Sequence, residues 1–173
     1  MRMRFVFVVT VFITILVSLT TVFGQQYEAK NDATTMEIDA ADDIPETVSV
    51  YAASYETIMI VDLTNQHAYC CVDGEVIADA DCVSGDSQMS PTPTGFYNVW
   101  CQRADFNMLG CYYVAYATFF NNGIAIHDAD AWRSEYGGTI YQWGGSHGCI
   151  NTPRWFAEIV YNNSTIGTPV YVF

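Results

Sequence analysis

The spacing of apolar residues divides the chain into three stretches. Residues 5–23, FVFVVTVFITILVSLTTVF, form an unbroken uncharged run behind Arg2 and Arg4. This is the pattern of an export signal, with small Gly24 as the cleavage point. The run's 19 residues also suffice to cross a bilayer as one helix, so residues 1–24 read either as a cleaved leader or as a membrane anchor through residues 5–23. Both readings place the remainder outside the cytoplasm, secreted or in the cell envelope. Over residues 25–50 large apolar side chains thin out, and Glu28, Asp32, Glu37, Asp39, Asp42, Asp43 and Glu46 are set against Lys30 alone. Such a stretch buries too little surface to offset the entropy of ordering it, which predicts an acidic disordered linker.

From residue 51 to 173 short β-branched and aromatic runs alternate with turn residues, the texture of a single mainly β domain. Residues 57–62 (TIMIVD) read as a strand. Residues 66–72 and 75–83 read as a hairpin, because Asp73-Gly74 suits the positive φ angles of a type I′ turn. The SPTPTG of residues 90–95 is a rigid loop, since its prolines cannot donate to a ladder. Residues 96–101 and 111–119 follow as strands joined by a loop that holds Asp105, Asn107 and Gly110. Residues 124–127 (IAIH) form a short strand ending on a histidine, and residues 132–136 suit one helical turn. Thr152 as N-cap and Pro153 as first helical residue open the one convincing helix, to about Asn162, with Trp155, Phe156, Ile159 and Val160 on its apolar face. Residues 168–173 close the chain as a strand.

Charge narrows the choice of function. Six Lys+Arg against 19 Asp+Glu leave a net charge of −13 over 173 residues. Without residues 1–24 the balance is 4 basic to 19 acidic residues, or −15. A nucleic-acid partner is excluded, because phosphate binding needs a basic stripe. With 51% hydrophobic and 15% aromatic residues, the domain can fill a core and is read as a monomer.

Six cysteines in an exported chain suggest disulfides. Cys70 and Cys71 are neighbours on a strand and point to opposite faces, so they are poorly placed to pair with each other. Cys101 and Cys111 bracket the expected loop and make the best candidate bridge. If Cys149 is kept as a thiol for chemistry, five remain, and one of these stays free or pairs between molecules. There is no CxxC or CxxH pair of the kind that holds structural zinc, so neither metal nor cofactor is expected.

The segment GIAIHDADAWRSEYGGTIYQWGGSHGCINTP, residues 123–153, holds two of the three histidines and a cysteine set between a glycine-rich bend and a helix. A thiol attacks as the thiolate, so it needs an imidazole to take its proton. Gly148 permits the sharp turn that exposes Cys149 and lets amide N–H groups converge on an acyl oxygen. On residue types alone two other readings stand: a buried, inert cysteine, and a metal bound by His127, His147 and Cys149.

The segment resembles the signature of the L,D-transpeptidase (YkuD) catalytic domain: a histidine, a spacer whose length varies by a few residues, then Ser/Thr-His-Gly-Cys, a hydrophobic residue and Asn. Here His127 is followed by 18 residues and then by Ser146, His147, Gly148, Cys149, Ile150 and Asn151. The TPTG of residues 92–95 and the IHDADAWR of residues 126–133 are also similar to stretches of family members, and the likeness runs from about Tyr55 to Phe173. It implies an L,D-transpeptidase-like β-sandwich with one short helix after the catalytic loop, and acyl transfer on peptidoglycan stem peptides. In that reading Cys149 is the nucleophile, His127 its base, and His147 and Gly148 orient the site and hold the oxyanion. Ser146 and Asn151 fill structural, hydrogen-bonding positions. Asp128 is a candidate to orient His127.

The implied reaction releases the terminal D-alanine of a tetrapeptide donor. It then joins the third residue of that stem to the third residue of another. Water as acceptor would give an L,D-carboxypeptidase. Arg133 and Arg154 are two of three cations in the domain, and at least one is expected to meet stem-peptide carboxylates. Their alternative is a surface ion pair with Glu135 or Glu158. A sortase shares the His, Cys, Arg order, but its TLxTC motif is missing. A wall-binding module with a dead site predicts an unreactive Cys149.

Overall fold

The computed structural model describes residues 44–173. The expected leader and residues 25–43 of the expected linker lie outside them. Helix α1 (Glu46–Ala52) is followed by β1 (Thr57–Asp62), β2 (His67–Val72), β3 (Glu75–Asp81), β4 (Gly95–Asn98), β5 (Cys101–Met108), β6 (Tyr112–Asn121) and β7 (Ile124–Asp128). Then come a single turn α2 (Tyr141–Gly144), β8 (Ile150–Thr152), α3 (Arg154–Asn163) and β9 (Pro169–Val172). The strands make two sheets, β3-β2-β1-β9-β4 and β5-β6-β7-β8. Met59, Val61 and Cys70 from the first sheet, with Cys82 just after β3, meet Phe120, Ile126 and Ile150 from the second, and Phe156 and Val160 of α3 join the same cluster. The domain is mainly β.

The β2–β3 hairpin forms as its sequence predicts, with Asp73 and Gly74 at φ +52° and +86°. Cys70 faces the main core and Cys71 the opposite side under α1. That helix occupies positions assigned to the linker. Its acidic Glu46 lies in the first turn, where the helix dipole favours it. Val48 and Ala52 recur at i and i+4 and are both buried against Ile58, Ile60 and Tyr69. Composition averaged over residues 25–50 hides this one-turn pattern.

Residues 96–119 depart furthest from expectation. The single strand expected over 96–101 is broken at Val99–Trp100, which carries the chain from β4 in the first sheet to β5 in the second. The expected loop around Asp105 and Asn107 is strand β5, paired along its length with β6. Apolar residues alternate only over its second half, Ala104, Phe106 and Met108, and none of its side chains is fully buried, so the pattern is short and weak. Register then separates Cys101, opposite Phe119, from Cys111, which abuts the Met108–Tyr112 end. Seven strand steps put them roughly 20 Å apart, whereas a disulfide needs Cα atoms within about 7 Å. All six cysteines are free.

Two local expectations are also corrected. The turn expected over 132–136 lies earlier, where the Trp132 and Arg133 amides donate to Ala129 O at 3.0 and 2.9 Å. Thr152 is the last residue of β8 rather than a cap, and its Oγ1 donates to His127 O at 3.2 Å. Pro153 takes the N-cap position, and Asp130 Oδ2 accepts the Arg154 N–H at 3.0 Å from across the fold. On α3, Phe156, Ala157 and Val160 are buried, while Trp155 is exposed. Among the described residues no helix is long and apolar enough to cross a membrane.

Candidate active site

Parallel pairing of β7 with β8 sets His127 opposite Asn151, with Ile126 beside Ile150 and Asp128 beside Thr152. Ile126 and Ile150 enter the core, so the alternation of a strand turns His127 and Asn151 to the other face. Cys149 immediately precedes β8. Residues 22 apart in sequence are thereby delivered to one place by neighbouring strands.

The turn that carries Cys149 is clamped from three directions. Ser146 Oγ donates to Cys149 O at 2.5 Å and accepts the Gly148 N–H at 3.0 Å. Gly148 sits at φ +111°, a conformation that strains any residue with a Cβ. Thr92, buried in the TPTG loop, takes the Gly85 N–H on its Oγ1 at 2.9 Å and donates to Gly148 O at 2.8 Å. Gly85 must be glycine, because a Cβ there would lie 2.1 Å from Ser90 O and 2.8 Å from Gly148 Cα. A trans peptide points its N–H opposite to its C=O. With Gly148 O held by Thr92, the Cys149 N–H is turned the other way, and among the described residues it has no acceptor.

The Cys149 thiol accepts the Ala125 N–H at 3.4 Å and donates to Gly123 O at 3.6 Å. Burial pushes its pKa up, against the pull of the Ala125 amide. His127 is almost fully buried. Its Nδ1 contacts Asp128 O at 2.8 Å and its Nε2 contacts Asn151 Nδ2 at 3.1 Å. Burial pushes its pKa down, partly offset by the bond to Asp128 O. Both groups are therefore neutral at rest. They share no direct hydrogen bond in this structure, but they line the same cleft, of about 210 Å³. One wall is Met108, Leu109 and Tyr112 from the β5–β6 hairpin, and the other is Trp132 and Arg133, with Ser146, His147 and Asn151 completing the lining.

The residues singled out from sequence therefore divide. Cys149, His127, Ser146, His147, Asn151 and Arg133 all line the cleft, while Gly148 is buried in the turn behind it, with its carbonyl on Thr92. His147 is exposed. Asp128 acts on His127 through its main-chain oxygen, while its carboxylate accepts the Tyr116 N–H at 2.8 Å. Arg133 is half-buried and donates through Nη2 to Gly144 O at 2.8 Å and Asn151 Oδ1 at 3.3 Å. Arg154 does not line the cleft; its guanidinium lies 6.0 Å from the Tyr116 ring centre. Neither arginine is in an ion pair with a described carboxylate, and among the described residues no cluster of His, Cys, Asp and Glu could hold a metal. The structural part of Thr92 and Gly85 was not visible in sequence beyond the TPTG pattern itself.

A family model described as the L,D-transpeptidase catalytic domain, YkuD, matches residues 56–172. No curated protein matches in sequence. Among solved structures, a cysteine-to-serine variant of Enterococcus faecium L,D-transpeptidase is 38% identical with a TM-score of 0.62, covering 69% of this chain and 50% of that one. This chain thus spans about half the length of that relative. The catalytic domain of the E. faecium enzyme acylated by ertapenem is 39% identical with a TM-score of 0.59, covering 68% of this chain and 97% of that one. An L,D-transpeptidase from Mycobacterium smegmatis, at 24% identity and a TM-score of 0.58 over 68% of this chain and 58% of that one, shares the fold.

Proposed function

Because the chain belongs to the L,D-transpeptidase (YkuD) catalytic-domain family, we propose that it is a cysteine acyltransferase acting on peptidoglycan stem peptides outside the cytoplasm, exported or anchored by residues 1–24, with residues 51–173 as the catalytic domain. The observation that carries this reading is the convergence of His127 and Cys149 on one cleft from adjoining parallel strands.

The thiol turns from Gly123 and Ala125 toward His127 Nε2 and gives up its proton as sulfur attacks the carbonyl of the third stem residue. The oxygen of the tetrahedral adduct takes the free Cys149 N–H, with Gly148 and His147 shaping its surroundings. His127 then returns its proton to the departing amine. The C–N bond to the terminal D-alanine breaks, and a thioester remains. A side-chain amine of a second stem attacks that thioester, His127 accepts its proton, and the thiol is regenerated as a 3→3 cross-link forms. Ser146 and Asn151 hold the nucleophile turn and the base. Arg133 is assigned the contact with a stem carboxylate, a reading supported by its position on the cleft wall, which Arg154 does not share.

The test is incubation of the purified protein with disaccharide tetrapeptides followed by mass analysis. Cross-linked dimers and free D-alanine are expected, with neither formed by Cys149→Ala. Tripeptide without dimer would assign an L,D-carboxypeptidase instead. Turnover that survives Cys149→Ala would remove the cysteine from its role.

A further inference from the structure

Arg133 is held in a costly place. The described cleft offers it no carboxylate in a chain of 19 acidic residues, its charge is half-desolvated, and its buried Nε has no acceptor. Leaving such a donor unpaired sacrifices its hydration with nothing gained in return. What the side chain does touch is Gly144 O and Asn151 Oδ1.

The second contact fixes more than itself. A guanidinium can only donate, so the atom of Asn151 facing Arg133 is the carboxamide oxygen, and the amide nitrogen faces His127. That nitrogen is also a donor, so His127 Nε2, 3.1 Å away, must offer a lone pair. At the other side of the ring a carbonyl, Asp128 O, can only accept, so Nδ1 carries the hydrogen. The two ends of the chain of contacts demand the same tautomer.

We propose that Arg133 is a positioning residue: by holding the Asn151 oxygen it turns the amide nitrogen onto His127 Nε2 and keeps the imidazole in its Nδ1–H form, with the Nε2 lone pair ready to take a proton. A protonated ring would present Nε2–H to an N–H donor. Asn151 could relieve that clash only by rotating its own nitrogen onto the guanidinium. Arg133 therefore opposes premature protonation of the base. Around the ring, Asp128 is the carboxylate on its own strand and is engaged by the Tyr116 amide. Cys149 and His147 come from the turn before β8, Arg133 from the crossover, and Glu158 and Arg154 of α3 lie at the far end of Tyr116.

The inference rests on His127 acting as base, and its test separates the two. In the wild-type protein with ¹⁵N-labelled histidine, the His127 ring is expected to show hydrogen on Nδ1, a readout that needs no turnover. In Arg133→Met the acid limb of thioester formation should move to higher pH, so that a limb displaced by one pH unit slows acylation roughly tenfold at a pH below both limbs, with recovery at alkaline pH. Arg133→Lys, which keeps a donor, should restore much of the original profile. Hydrogen on Nε2 in the wild type would overturn the proposal. So would an Arg133→Met profile in which only KM rises, as for a pure carboxylate contact, or in which the rate falls evenly at every pH, as for a structural loss. An inactive wild type with the expected ring spectrum would instead retire the functional reading and leave the positioning intact.

Discussion

At Cys149 and His127 burial acts on both partners in the same sense, favouring the uncharged form of each. The pair at rest is thiol and imidazole rather than thiolate and imidazolium, and in the proposed mechanism the proton moves only as the substrate is attacked. Alkylation of Cys149 by iodoacetamide, read on its own peptide apart from exposed Cys111, should accordingly be slow at pH 7 and climb past the ordinary thiol range. A rate that is already flat between pH 6 and 7 would mean a preformed ion pair. Gly148 carries a second expectation at this scale. At φ +111°, an alanine there is strained by about 1–3 kcal/mol, so Gly148→Ala should lower the Tm by a few degrees and depress kcat much more than KM. The identities of His127 and of Ser146 through Asn151 were readable because they form a compact pattern with a paired histidine. The grip of Arg133 on Asn151 was not, since it joins residues 18 apart through a side chain whose sequence context suggested only a substrate contact or a surface ion pair.

Among the elements, the loop of residues 90–95 reaches furthest beyond its apparent rank. Thr92 takes the Gly85 N–H and reaches Gly148 O, 56 positions further on, and so sets the direction of the peptide that precedes Cys149. Thr92→Val keeps the shape and strands a buried N–H and C=O, so about 2 kcal/mol of stability should be lost. The fall in kcat should be larger than that loss explains, and Thr92→Ser should recover most of both. Denaturant titration with parallel kinetics checks this; a valine variant of unchanged kcat would show that the turn holds itself. Strands β1 and β2 were legible as continuous apolar runs buried on both faces, the β2–β3 hairpin by its Asp-Gly turn, and helix α3 by the one face it buries. Strand β5 was not, because neither of its faces is consistently buried, and the three-residue β8 is too short to leave a period. The corner at Val99–Trp100 was hidden by an apolar run that continues straight through it while the backbone changes sheets.

For the whole molecule, pH acts on stability from two sides. Burial raises Cys70 to about 12 and Cys71 to about 11, and raises Cys82 as well. The native state keeps these protons after the unfolded chain has begun to release its own above about pH 8.5. The unfolded state then binds fewer protons, and stability declines as pH rises, by up to about 1.4 kcal/mol per group for each pH unit. On the acid side, the depressed His127 leaves the native state with fewer protons than the unfolded chain below about pH 6.5, so stability also falls there. Denaturation midpoints should be highest between these limits, and the alkaline slope should be shallower in Cys82→Ala; an identical slope would show that this thiol does not couple to folding. The parallel ladder of β7 and β8 has a different reach. β7 fixes His127, and the clamped turn at the head of β8 fixes Cys149, so within the chain that loops between them only the stretch after Arg133 and before Gly144 is an interchangeable cassette. Around Gly138, where an added Cβ meets nothing, insertions or trims could remodel which wall fragments are admitted while leaving the reacting pair untouched. Evolution and protein engineering thus have a place to retune selectivity without rebuilding the catalyst.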